Sequence, residues 1–183
     1  MGKVVLSASD IEKAKSYMPL LNKAAVARAM APACVETVKL GTEDRLSPIP
    51  DRAQENTMTR ERGLMGVFVR FYLNLEWEGW EEDILIPVNI YDDFMGSHIF
   101  GQLERMKSNA RLRDKVFDML SDYRRFQSML GTEIATLIAH KNDVAARLLS
   151  VIYSQTTSES MSGAMEELER LKNEAKTRGD TNA

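Results

Sequence analysis

The sequence predicts an α+β fold, mostly α-helical, with one central antiparallel β-hairpin at about 67–88 and a C-terminal helical bundle. Three observations carry that expectation. Apolar residues recur at helical spacing over most of the chain, as at Ile11, Ala14 and Tyr17, or at Tyr91, Phe94, Met95, Ile99, Leu103 and Met106. Leu112, Met119 and Phe126 repeat every seven residues, interleaved with Val116, Tyr123, Leu130 and Leu137. Between these regions, Val67, Val69, Phe71, Leu73, Leu75 and Trp77 alternate with mostly polar neighbours, the period of a half-buried strand.

Taken in order, Ser9 with Glu12 is a capping-box pair that opens a helical region over 9–31. Pro19 kinks it or starts a second helix, and Pro32 stops it. Residues 33–40 fit a short strand or a frayed helical turn equally well. Residues 41–56, with Pro48 and Pro50 and little apolar content, predict a long loop. For 67–88 a helix through Leu64, Met65, Phe68, Phe71, Tyr72 and Leu75 is the competing reading. A two-residue turn at Glu78-Gly79 favours the hairpin, because it pairs Trp77 with Trp80, Leu73 with Ile84, Phe71 with Ile86 and Val69 with Val88. Leu75 opposite Glu82 is the misfit. Pro87 places the returning strand at an edge.

Helices over 90–153 follow, with Asn89 as N-cap and Asp92 and Asp93 in the first turn. His98 falls on the apolar face of the first. Val144, Leu148, Val151 and Ile152 carry the last. A single globular domain over 1–153 then gives way to a Ser/Thr-rich linker at 154–163. An amphipathic helix over 164–177 carries Met165, Leu168, Leu171 and Ala175, and a disordered tail covers 178–183. The seam at 112–137 packs against neighbouring helices or joins a second copy of the chain.

Composition bounds the function. The chain has 183 residues, 44% hydrophobic and 28% charged, which is ordinary for a soluble domain with a real core. Its 24 basic and 27 acidic residues give a net charge of −3, which argues against a wholesale basic coat for nucleic acid. Cys34 is the one cysteine, so no internal disulfide and no thiolate cluster can form, and a bacterial cytoplasmic setting is expected. The N-terminus lacks a signal-peptide core and no apolar run is long enough to span a membrane. Arg178-Gly179-Asp180 reads as a chance match to an adhesion motif.

The sequence offers no catalytic pattern. His98 and His140 are isolated, neither has a Glu three residues before it, and phosphate-binding and dinucleotide-binding glycine motifs are lacking. No enzyme activity, metal or other cofactor is expected, and Cys34 reads as a small buried hydrophobe. The strongest signal is acidic. Glu76, Glu78, Glu81, Glu82 and Asp83 surround Trp77 and Trp80, and no Lys or Arg occurs from Glu76 to Asp93. Such a tip either stays solvated or binds a basic protein, with carboxylates standing in for phosphates and indoles as anchors. A weaker signal at 132–148 loosely matches a helix-turn-helix, with Ala139 where glycine is usual and a single base, Arg147, on the second helix. Arg111, Arg113, Lys115, Arg124 and Arg125 are interrupted by Asp114, Asp118 and Asp122, as on a solvated helix face.

The opening Met-Gly-Lys-Val-Val-Leu-Ser-Ala-Ser-Asp-Ile-Glu and the length of the chain resemble a group of anti-CRISPR proteins, carried by phages and mobile elements, that inhibit Cas9. The resemblance implies a non-enzymatic inhibitor that binds Cas9 or the Cas9-guide RNA complex and blocks DNA binding or cleavage. No functional residue carries over from it. Glu76–Asp83 is the contact suggested independently, since Cas9 holds nucleic acid in positively charged channels. A DNA-binding regulator using 132–148 and a phage structural or assembly protein using the heptad seam are the alternatives.

Overall fold

In the computed structural model, residues 4–38, 52–75 and 85–179 are described, with side chains to Val151 and at Ser154 in the last helix. The elements are α1 (Ala8–Lys13), α2 (Leu20–Met30), a 3-10 turn (Ala31–Cys34), β1 (Val35–Val38) and β2 (Arg52–Glu55). They continue with α3 (Thr57–Val67), a π-helical turn (Phe68–Tyr72), α4 (Val88–Gly96), α5 (Ile99–Met106) and α6 (Arg113–Gly179). The class is the expected one, mostly helical with one two-stranded antiparallel sheet. By contact, the chain falls into one unit of Met1–Val38 with Ala53–His140, and another of Lys39–Arg52 with Lys141–Ala183.

Several boundaries move, each for a local reason. The capping box is Ser7 with Asp10, not Ser9 with Glu12: Asp10 N–H donates to Ser7 Oγ at 3.2 Å and Ser7 N–H to Asp10 Oδ2 at 2.7 Å. Pro19 separates two helices and forms the N-cap of α2. The sheet lies at β1 and β2, partly inside the stretch read as a loop. Asn56 N–H donates to Cys34 O at 2.8 Å, and Glu36 accepts from both Gln54 and Asn56 side chains. Asn56 then turns to cap α3, accepting from Thr59 N–H at 3.0 Å. Pro87 rather than Asn89 precedes α4.

The hairpin expected at 67–88 is overturned over the described part of its first strand. Residues 57–72 are helical, and the competing reading prevails: its Leu64, Met65, Phe68 and Tyr72 are buried, with Phe71 and Leu75 partly buried against the same core, and Val69 and Leu73 are buried beside them. Leu73 N–H donates to Phe68 O at 3.1 Å, the i→i+5 bond of a π turn. That extra residue per turn widens the apolar stripe, so a nearly continuous hydrophobic run is accommodated in a helix despite its strand propensity. The helix ends where Asn74 adopts φ 53°, with Leu75 N–H donating back to Val69 O at 3.1 Å. Ile86 is buried and Val88 opens α4, so neither pairs with a strand. Trp77, Trp80, Glu82 and Ile84 lie outside the described residues.

The core of the first unit is organised by α6. Leu112, just before that helix, and its residues Val116, Met119, Leu120, Tyr123, Phe126, Leu130 and Ile134 are buried within the chain. Of the two readings of the seam, packing against the chain's own elements is the one these residues show. Phe68 of the π turn packs against α5 and α6, its ring tilted against Phe100 at 4.9 Å and against Tyr123 at 4.7 Å between centroids.

Helix α6 also corrects the C-terminal reading. Residues 132–148 contain no turn, so they form no helix-turn-helix, and the linker expected at 154–163 is helical, as are 164–179. Neither glycine nor proline occurs between Thr132 and Ser162. Ser154, at the start of the expected linker, bonds back along the helix, its Oγ donating to Val151 O at 2.8 Å. In the second unit, Val144, Leu148 and Val151 are exposed rather than packed, and Arg147 pairs with Asp143 at 3.0 Å. Among the described residues, no helix is long and apolar enough to cross a membrane.

Candidate functional site

The sequence-derived site, Glu76, Trp77, Glu78, Trp80, Glu81, Glu82 and Asp83, lies outside the described residues. What is described is the chain on both sides of it. On the N-terminal side Leu73 is buried and the left-handed Asn74 ends the π turn. On the C-terminal side Ile86 is fully buried, and its carbonyl accepts from Arg62 Nε at 2.9 Å. The acidic and aromatic residues are thus bracketed by anchors in the core.

The N-terminal anchor is reinforced by a buried polar cluster that sequence reasoning missed. Asp122 of α6, read as part of a solvated face, is 5% exposed, and Lys23 of α2 is 3% exposed. The Lys23 ammonium pairs with Asp122 Oδ1. Asp122 Oδ2 accepts from Met18 N–H and from Tyr72 Oη, each at 2.9 Å. Tyr72 O in turn accepts from Lys15 N–H at 2.7 Å. One carboxylate therefore ties α2, the 14–19 segment and the π turn to α6. Burial opposes ionisation of Asp122, but the hydrogen bonds from Lys23, Met18 N–H and Tyr72 outweigh it and hold its carboxyl below the usual range. Burial and the bond to Asp122 push the Tyr72 phenol far up, so it serves as a donor. No motif signals this cluster, because its members are distant in sequence and each looks like an ordinary surface residue.

Its chemistry is structural. A cavity of about 250 Å³ beside it is lined by Ser16, Tyr17, Asp118, Ser121, Asp122 and Arg125. Both Asp122 oxygens are already committed to the chain's own donors, which argues against a proton-transfer role. Cys34 is buried, and burial followed by the Glu55 charge pushes its thiol up, away from the reactive thiolate. His98 is not on the apolar face of a helix: it is exposed and left-handed, between α4 and α5. His140 is exposed on α6. Among the described residues no group of three or more His, Cys, Asp or Glu is placed to hold a metal ion.

Comparison with protein-family models, with curated proteins and with solved structures gives no match.

Proposed function

We propose that the protein is a non-enzymatic inhibitor that binds a protein with a basic nucleic-acid groove, most concretely Cas9 or its guide-RNA complex, and blocks DNA binding or cleavage. The observation that carries this reading is the segment 76–83. Five carboxylates and two tryptophans fall within eight residues without one Lys or Arg, between ends anchored by Leu73 and Ile86. Dense negative charge repels nucleic acid and is attracted to the arginine-lined channels that hold it, while a tryptophan seated in a partner pocket supplies apolar contact. Anchored ends lower the entropy lost when such a segment binds. The resemblance of the opening residues to anti-CRISPR proteins supports the choice of target.

The test reverses Glu78, Glu81 and Glu82 to Lys together and measures affinity for guide-loaded Cas9 across salt concentrations. The unmodified protein binds with an affinity that falls as salt rises. The triple variant loses at least about tenfold, or ~1.4 kcal/mol. Affinity that survives the reversal removes the segment from the interface. A protein that neither binds nor inhibits any Cas9 removes the target.

A further inference from the structure

We propose that a cavity among α3, α4, α5 and α6 binds the methylated ammonium head of an organic cation. It measures about 200 Å³, below the range of sites for drug-sized ligands and suited to a single head group. Three aromatic side chains line it, Tyr91 of α4, Phe100 of α5 and Tyr123 of α6, together with Glu61 of α3. Neither Lys, Arg nor His is among the lining residues.

The core fixes the aromatic wall. The rings of Phe100 and Tyr123 lie 20° from parallel with centroids 6.0 Å apart, and both pack on the fully buried Phe68. Tyr91 and Tyr123 are buried, whereas Phe100 is 36% and Met95 49% exposed. These two exposed residues also line the cavity, so its mouth is apolar and reaches solvent. A ligand with apolar substituents covers that mouth, and the burial favours binding.

Charge sets the sign of the ligand. Glu61 forms no ion pair among the described residues. Its neighbours on α3 are engaged elsewhere: Arg60 pairs with Glu55 at 2.9 Å, and Arg62 Nε donates to Ile86 O at 2.9 Å. Tyr91 Oη donates to Glu61 Oε2 at 2.9 Å, which ties the carboxylate to the cavity wall. Burial, followed by that bond, pushes the Tyr91 phenol up, so the ring stays a neutral donor. A head group seated here lies within the ~6 Å reach of cation–π attraction to the rings that line the space. A bare ammonium would lose hydration that Leu64, Met65 and Met95 cannot replace. Methylation removes that cost and gives the apolar walls something to pack against.

The experiment follows the methionine methyl signals of the full chain by NMR during titration with three probes. They are choline, acetylated trimethyllysine amide, and a neutral alcohol with a tert-butyl group in place of choline's trimethylammonium. Met65 and Met95 line the cavity, while Met106 at the last position of α5 does not and serves as the control. At least one of the two cations shifts the Met65 and Met95 methyls saturably without moving Met106. The neutral alcohol binds at least about fivefold more weakly. Preference between the cations tells a free quaternary amine from a methylated side chain. Glu61→Gln, which can still accept from Tyr91, weakens the cation at least about fivefold at unchanged melting temperature. Phe100→Leu keeps apolar bulk but loses the ring, and below its melting temperature it weakens the cation at least about threefold. Equal affinity for the neutral alcohol, shifts that never saturate, or undiminished binding by folded Glu61→Gln or Phe100→Leu overturns the proposal.

Discussion

Replacing Asp122 with Asn removes one charge from the core while keeping the shape of the side chain. In the native chain that carboxylate receives the Lys23 ammonium, Met18 N–H and Tyr72 Oη, with both ion-pair partners almost wholly excluded from water. Asparagine leaves the ammonium buried without a counter-charge and offers one acceptor oxygen where the carboxylate offered two. Breaking one side of a buried ion pair costs about 3–5 kcal/mol, against a total stability of about 5–15 kcal/mol for an ordinary domain. Urea unfolding followed by circular dichroism measures the loss. Lys23→Met strands the carboxylate instead and costs about 3 kcal/mol. In the double variant neither charge remains, so its loss falls short of the summed single losses by at least ~1 kcal/mol. An Asp122→Asn protein within about 1 kcal/mol of the native one, or strictly additive single variants, would refute a buried, coupled pair.

The same carboxylate sets an acid limit. Its folded pKa lies below the unfolded value, so its contribution is complete above that unfolded value, ~4, and is lost as pH falls through the folded one. Urea midpoints of the native chain between pH 6 and pH 2 therefore fall more steeply than those of Lys23→Met/Asp122→Asn. Ser7→Ala removes the N-cap of α1 and costs about 1 kcal/mol, while Ser9→Ala stays within about 0.5 kcal/mol, both by urea unfolding. His98→Gly relieves the left-handed residue before α5 and raises the melting temperature, a gain of about 0.5–1 kcal/mol.

The legibility of the fold varied with how local its cause was. The helical stripe at Leu112–Leu130 was readable because one face repeats within each two turns, and the same residues are buried. Pro19 and Pro32 marked helix limits for the same reason, since proline acts on its own backbone. The stretch 67–75 was misread because helix and strand spacings coincide over so short an apolar run, and a π turn relaxes the helical period further. The sheet was invisible where it occurs, since Arg52–Glu55 has neither a β-branched nor an aromatic residue and is a strand only beside Val35–Val38.

The same division runs through the sites. The concentration of carboxylates and tryptophans at 76–83 is a property of composition along the chain, and so is readable without coordinates. The Lys23–Asp122–Tyr72 cluster is not, because its members come together only when helices pack. By itself the sequence determined a mostly helical α+β chain with one heptad face and an acidic, tryptophan-bearing segment. Tertiary structure decided which charges leave water and which residues bend the backbone. Burial depends on what the rest of the chain places alongside, and no local window contains that information.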